Sequence, residues 1–218
     1  MPKTIKTGTK RKASYVSDKA FLNIPYDKQF EPLYLAFIAG LSGFGLIPQA
    51  VLQIPESKRR LDRIFSLIGE CKISFHDLSR VKLDLKPPPT PRFNMPFELG
   101  LAVAWQSIGD PSHRWYVFEA EAHRLQKSLS DLNGTDPCIH YCKPLGVLQE
   151  LANALTRMKH RPTVIELEAI LGDLNKAAVK IKRELRTKSL FGSRAFEDLV
   201  LAAKLIARTH VASLGQTT

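Results

Sequence analysis

The chain has 218 residues, of which 44% are hydrophobic and 24% charged, and its formal net charge at pH 7 is +11. This composition is typical of globular proteins and excludes collagen-like and wholly disordered chains. No apolar run approaches the ~20 residues of a membrane-spanning helix, and the first residues lack the apolar core of a secretory signal. Three cysteines are too few for a disulfide framework. We therefore expect a cytoplasmic protein.

Almost half of the excess positive charge lies at the N-terminus. Residues 1–19 contain six Lys or Arg side chains and one Asp, among Thr, Gly and Ser. Such a segment has little apolar area to bury, so residues 1–18 are predicted to form a disordered basic tail. Two roles stay open for it: a solubilising leader, or an arm that binds nucleic acid or another acidic partner.

Residues 19–160 alternate short apolar runs with segments of helical periodicity. Strands are predicted over 20–24, 46–52, 72–76, 115–119 and 138–142, and helices over 28–42, 61–68, 95–108 and 148–158. Pro32 fits its helix only in the first turn. Residues 82–94 hold four prolines, which predicts a stiff, extended loop without regular structure. The alternation predicts an α/β fold: a doubly wound, five-stranded parallel sheet in the flavodoxin-like order 2-1-3-4-5.

Residues 161–214 follow a different pattern. Apolar residues recur at alternating spacings of three and four from Val164 to Leu185, and again from Phe196 to Ile206. With a break over 189–193, this predicts a C-terminal helical hairpin. Its narrow apolar stripe leaves two alternatives open: packing on the α/β domain of the same chain, or contact with a second copy or another protein through residues 163–210.

The predicted topology also indicates where a site would lie. Ligands bind open parallel sheets at the carboxyl ends of the strands, where the strand order reverses. Three polar segments should meet there, and they contain Asn23, Pro25, Tyr26, Asp27, His76, Asp77, Ser79, Arg80, Arg92, Asn94, Met95 and Glu98. Residue type alone leaves a structural interpretation open for each of these side chains. Glu98 would then be a carboxylate that stabilises the positive end of a helix, and Asp77 a cap or turn residue. The arginines would either pair with acids or bind a phosphate.

These residues carry a resemblance to known proteins. His76-Asp-Leu-Ser-Arg80, a proline-containing spacer and Pro91-Arg-Phe-Asn-Met-Pro-Phe-Glu-Leu-Gly100 resemble an uncharacterised bacterial group, as does Phe21-Leu-Asn-Ile-Pro-Tyr-Asp27. Phe97-Glu-Leu-Gly100 is also similar to the helix opening of nucleoside 2-deoxyribosyltransferases, whose Glu is the nucleophile. The pair Glu98-Leu99 is similar to the catalytic pair of NAD-cleaving TIR domains. The likeness covers about residues 20–110.

The resemblance implies cleavage or transfer at an N-glycosidic bond of a nucleoside, a nucleotide or NAD. In that reaction Glu98 would be the nucleophile and Asp77 would orient sugar hydroxyls. Arg80 or Arg92 would hold a phosphate, Tyr26 would cover the base, and the other residues of the set would line the substrate site. It also implies a role in bacterial defence or stress responses. NAD enters as a possible substrate, and no cofactor is expected.

Other motif classes are absent or weak. There is no phosphate-binding G-x-x-x-x-G-K-[ST] loop, and Gly43-Phe-Gly45 lacks the third glycine of a dinucleotide fingerprint. Cys138, His140 and Cys142 are too few for a structural zinc site, so no metal is predicted. Two functions compete with the enzyme: a non-catalytic sensor of a nucleotide-like ligand that signals through its C-terminal helices, and nucleic-acid association through the basic tail.

Overall fold

A computed structural model describes residues 18–53, 59–81, 83–84, 87 and 89–214. Its strands are β1 (Lys19–Asn23), β2 (Ile47–Ala50), β3 (Ile73–Asp77), β4 (Leu83–Asp84), β5 (Thr90–Pro91), β6 (Arg114–Glu119) and β7 (Cys138–Ile139). Its α-helices are α1 (Glu31–Gly43), α2 (Arg60–Glu70), α3 (Asn94–Ile108), α4 (Arg124–Ser128), α5 (Pro144–Ala154), α6 (Val164–Glu184) and α7 (Ser193–Leu214). The predicted tail lies outside the described residues except for Asp18.

The central sheet confirms the predicted topology. Five parallel strands follow the order β2-β1-β3-β6-β7. The register pairs Asn23 with His76 and Asp77 with Phe118, which aligns the carboxyl ends of β1, β3 and β6 at one edge. Polar residues that follow these strands are therefore neighbours in space, although more than 50 positions separate some of them.

Two predicted strands are shorter in the structure. The run 46–52 forms a strand only over Ile47–Ala50, because Val51–Gln53 turn into a 3-10 helix. The last strand ends at Ile139, because the chain bends at Tyr141 and Cys142, which have φ angles of +51° and +57°. Left-handed backbone at two consecutive non-glycine residues is incompatible with a continuing strand.

Helix α1 forms the centre of the larger core. The carboxylate of Asp27 accepts hydrogen bonds from the backbone N–H groups of Gln29 and Phe30, each 3.1 Å long, so a turn precedes the helix and delays its start to Glu31. Pro32 lies in the first turn, as expected. The helix is apolar on every side, which is the pattern of a buried helix. The sheet contacts one side of it, and α5, α6 and α7 contact the others.

The C-terminal hairpin packs on its own chain. The stripe residues Leu167, Leu171, Leu174, Ala178 and Ile181 are buried in the same core cluster as α1 and the sheet. A capping box starts α6: Thr163 Oγ1 accepts from the Glu166 N–H, and the Glu166 carboxylate accepts from the Thr163 N–H. The structure thus favours the intramolecular alternative for this stripe.

The opposite face of the sheet carries α2 and α3. Side chains alternate along the strands, so Leu22 and Phe75 face α1 while Phe21 contacts the α2 residues Ile64 and Leu67. None of the helices in the described part of the chain is long and apolar enough to cross a membrane.

The proline-rich segment contains more regular structure than the sequence predicts. Leu83 and Asp84 pair antiparallel with Pro91 and Thr90, so the expectation of a loop throughout 82–94 is wrong. Proline is tolerated in such a two-stranded edge pair because its missing N–H need not join a ladder. Helix α3 begins at Asn94, inside the predicted loop, with Phe93 as its N-cap and no side-chain cap.

Candidate functional site

The three predicted polar segments meet at the carboxyl edge of the sheet. The Asp27 carboxylate accepts from Arg80 Nε at 3.2 Å and from Arg92 Nη1 at 3.3 Å, and Arg80 Nη1 donates to Gln29 Oε1 at 2.7 Å. These contacts join three segments of the chain: Asp27 follows β1, Arg80 follows β3, and Arg92 precedes α3. Two guanidinium groups share one carboxylate in this arrangement, which we call the arginine clamp, so a local positive charge remains for an anion.

A small cavity of about 80 Å³ opens beside the clamp. Its lining consists of predicted site residues and one neighbour: Ile24, Pro25, Tyr26, Arg80, Arg92, Asn94 and Met95. Small-molecule sites usually enclose about 300–1,000 Å³, so this cavity accommodates one group of a ligand, such as a phosphate, and not a whole nucleoside. Glu98 is not part of the lining.

A buried hydrogen-bond chain runs through the sheet from this edge. Asn23 Nδ2 bonds His76 Nδ1 at 3.0 Å, His76 Nε2 bonds Ser74 Oγ at 2.9 Å, and Ser74 Oγ bonds His113 Nε2 at 3.0 Å. His113 Nδ1 lies 2.9 Å from the Cys71 carbonyl oxygen. Asn23 Nδ2 only donates and the Cys71 carbonyl only accepts, so the chain is satisfied when each group donates to the next, with one donor and one acceptor nitrogen on each imidazole. Both imidazoles are therefore neutral in this chain.

The electrostatics of the two histidines agree with that assignment. Burial, together with the nearby His113, lowers the pKa of His76 to about 3, and burial also lowers the pKa of His113. Asn23 Nδ2 is also 3.0 Å from the Met95 carbonyl oxygen. Asn23 and His76, both predicted to bind substrate, are therefore occupied in holding the first turn of α3 against β1 and β3.

Glu98 lies in that first part of α3 and is 2% exposed. The nearest described cation is Arg60, whose Nη2 is 3.9 Å from Glu98 Oε1 and whose side chain is 57% exposed. Burial raises the pKa of Glu98 to about 7, and the Arg60 charge offsets only part of this effect. At neutral pH Glu98 is therefore only partly ionised.

Tyr26 lines the cavity and interacts electrostatically with Glu98. Burial is the main cause that raises its pKa, followed by the negative charge of Glu98. Its ring lines the cavity and packs against Phe191 at a centroid distance of 5.9 Å. Asn94, predicted as a site residue, is the first residue of α3, and its amide donates to the Met95 sulfur at 3.3 Å.

Asp77 belongs to a second, fully buried cluster. Asp77 Oδ1 accepts from the Ser79 N–H at 2.9 Å and from Ser79 Oγ at 2.5 Å. Its Oδ2 lies 3.0 Å from His140 Nε2, although the two groups are not aligned as a hydrogen bond. The Cys142 N–H donates to His140 Nδ1 at 3.0 Å, which leaves the proton of a neutral His140 on Nε2, beside Asp77.

This cluster contains residues that the sequence analysis missed. Glu119, the last residue of β6, is fully buried and forms a two-point ion pair with Arg124, with Arg124 Nε 3.0 Å from Glu119 Oε1. Glu119 ends the fourth strand of the sheet and His140 follows the fifth, whereas the predicted site drew on the ends of the first and third strands and on the start of α3. Among the described contacts, none joins Asp77 to Glu98.

The arrangement offers two features suited to chemistry, Glu98 and the arginine clamp. Glu98 is a buried carboxyl group whose pKa lies near neutral pH, which suits nucleophilic or acid–base work. The arginine clamp offers hydrogen-bond donors for an anion. Among the described residues, no three His, Cys, Asp or Glu side chains are placed to hold a metal ion.

Comparisons of the chain with protein-family models, with curated proteins and with solved structures find no match.

Proposed function

We propose that this chain cleaves N-glycosidic bonds of nucleotide-like substrates with Glu98 as the nucleophile. The observation that carries the proposal is the placement of Glu98. It is the only charged residue of α3, it is buried at the start of that helix, and its pKa of about 7 keeps a substantial ionised fraction at neutral pH. A carboxylate in such a place can stabilise or attack an oxocarbenium-like carbon.

The reaction would proceed in two displacements. The Glu98 carboxylate bonds to the anomeric carbon as the bond from that carbon to the base nitrogen breaks, and the base leaves with the electron pair. A purine or pyrimidine base then takes a proton from solvent, whereas the nicotinamide of NAD leaves as a neutral molecule. Water next attacks the same carbon, the bond from that carbon to the Glu98 oxygen breaks and restores the carboxylate, and the attacking water loses a proton to solvent. Arg60, exposed and 3.9 Å from the carboxylate, would move aside to admit the substrate.

The arginine clamp supports a phosphorylated substrate. Arg80 and Arg92 meet at Asp27 beside a cavity that fits one phosphate group. Guanidinium groups recognise phosphate through paired N–H donors. We therefore rank nucleoside monophosphates and NAD above unphosphorylated nucleosides.

A turnover assay tests the proposal. Wild type, Glu98→Gln and the control Glu197→Gln, which removes an exposed carboxylate from α7, are incubated with nucleosides, nucleoside 5′-monophosphates and NAD. We expect base release by wild type and Glu197→Gln and a loss of at least ~10³-fold in Glu98→Gln, the size seen for essential catalytic groups. Unchanged turnover in Glu98→Gln would remove Glu98 from the reaction.

The same geometry favours one other function. The cavity and the clamp adjoin each other, whereas Glu98 does not line the cavity, which is compatible with a sensor that binds an anionic ligand without turnover. Isothermal titration with the same panel separates the two. Binding that needs Arg80 and Arg92, without release of base, identifies a sensor.

A further inference from the structure

Helix α3 has an apolar face that no other described element covers. Phe93, Phe97, Gly100, Ala104 and Ile108 are exposed along it at spacings of three and four, and the exposed polar residues Asn94 and Ser107 flank it. Phe93 is 65% exposed, Phe97 55% and Ile108 88%. Surface helices normally place charged and polar side chains on such a face.

Helix α2 extends this face. Arg60 lies 3.9 Å from Glu98, and a Cβ atom at Gly69 would lie 3.6 Å from the ring of Trp105, so the two helices run side by side in the same direction. Leu61 and Phe65 are exposed on α2 along the same stretch. The α2–α3 face consists of Leu61, Phe65, Phe93, Phe97, Gly100, Ala104 and Ile108.

We propose that the α2–α3 face is the interface of a symmetric homodimer in which α3 packs antiparallel to α3 of a second copy. The order of side-chain sizes supports this occupant. With the two-fold axis beside Gly100, Phe97 lies opposite Ala104 of the second copy, and Phe93 lies opposite Ile108. Large side chains thus meet small ones at the centre, as an interface that pairs one surface with itself requires.

Space and charge favour a second copy as well. Among the residues that the structure describes, no atom lies within 4 Å of the place that a Cβ atom at Gly100 would take, so the centre of the face has room for a neighbouring helix. The chain carries +11 overall and repels its own copies elsewhere. On the outward positions of α3 there is no Lys, Arg, Asp or Glu, so two copies meet there without opposing like charges.

The apolar area of the α2–α3 face is comparable with the area that a protein interface buries on each partner. Aromatic side chains bury about 150–250 Å² each, so the five large residues of the face, which are 41% to 88% exposed, offer roughly 500–600 Å² of apolar surface per chain. The face lies at the upper end of the roughly 300–600 Å² that the largest apolar patch of a typical monomer covers, and such patches are often functional. With a polar rim it approaches the ~800 Å² per partner of a standard interface.

Sedimentation equilibrium of the full chain tests the proposal up to about 100 µM, because dimer stability depends on concentration. We expect a dimer for wild type, and a dissociation constant at least tenfold higher for Phe97→Glu and for Gly100→Glu. Gly100→Glu puts a better helix former into open space, so loss of fold is not a competing cause. The control Val179→Glu replaces a residue of α6 that is 70% exposed and should leave the dimer intact.

A crosslink tests the geometry. A cysteine beside a two-fold axis faces its own copy, so Gly100→Cys in a Cys142→Ser background should oxidise to a covalent dimer, while Val179→Cys in that background should not. A wild-type chain that stays monomeric overturns the proposal and leaves the face to a different protein. A dimer that is insensitive to both Glu variants also overturns it.

Discussion

On one side of the sheet, α1 is enclosed by the sheet, α5, α6 and α7, and Leu33 to Gly43 are all buried. On the other side, α2 and α3 form a single layer that leaves Phe65 and Phe97 half exposed and buries the ionisable Glu98 and His76. Buried ionisable groups cost free energy, and exposed aromatic rings gain none. The first side is therefore built for stability, whereas the second holds the features that a function would explain.

The contrast is sharpest between two phenylalanines. Phe37 is fully buried in α1, and Phe97 is half exposed on α3. Phe37→Ala should lower the free energy of unfolding by about 3–5 kcal/mol, because it leaves a cavity in the core. Phe97→Ala should change it by less than about 1 kcal/mol. Urea denaturation measures both, and similar losses would contradict the distinction between the two sides.

Glu98 predicts an unusual pH dependence of stability. Its folded pKa of about 7 lies above the value of 4.5 expected for the unfolded chain. The folded state holds the proton more tightly, so the free energy of unfolding should fall by up to about 3 kcal/mol as the pH rises from 4.5 to 7. Glu98→Gln should abolish this part of the slope in urea titrations. An identical slope in wild type and variant would show that Glu98 titrates normally.

His76 predicts the opposite sign. Its folded pKa of about 3 lies below the unfolded value of 6.5, so the unfolded state takes up the proton first and stability falls as the pH drops below 6.5. The slope should be about 1.4 kcal/mol per pH unit. His76→Gln should remove it, and nitrogen shifts in NMR spectra should report a proton on Nε2 in wild type. A proton on Nδ1 would contradict the direction of the hydrogen-bond chain.

The arginine clamp predicts the smallest effect on stability. Asp27→Asn leaves Arg80 and Arg92 without their shared carboxylate, but the ion pairs are partly exposed, so stability should change by less than about 1 kcal/mol. Binding of inorganic phosphate should become tighter, because a competing anion is removed. Arg63→Met, which removes an ion pair with Glu70 on α2, is the matched control and should not affect phosphate. Weaker phosphate binding in Asp27→Asn would argue against an anion site.

Local patterns were sufficient for most of the fold. The five strands and their order were predictable, because short apolar runs alternating with helical periods permit few arrangements. The errors lie at the ends of elements, because the periodicity of side chains does not show the backbone φ angles at which an element stops. The last strand stops at Ile139, before the left-handed residues Tyr141 and Cys142, and α3 starts at Asn94, one residue before the predicted helix.

The candidate site was predictable as a location and much less so as a set of partners. Topology brought residues 23–30, 76–80 and 92–100 to one edge. Topology did not show that Asp77 and Glu98 have different surroundings. The oxygens of Asp77 face Ser79 and His140, whereas Glu98 lies in α3. Topology also did not reveal Arg60, which approaches Glu98 from α2.

The sequence by itself determined the order of helices and strands, the parallel sheet and the edge at which polar segments gather. These follow from side-chain periodicity and from the handedness of strand connections, which act over short stretches of chain. Only the tertiary structure decided the pKa of Glu98, the neutral state of His76 and the burial of the hairpin stripe. Each of these depends on how much water remains around a side chain, and that is set by elements distant in sequence.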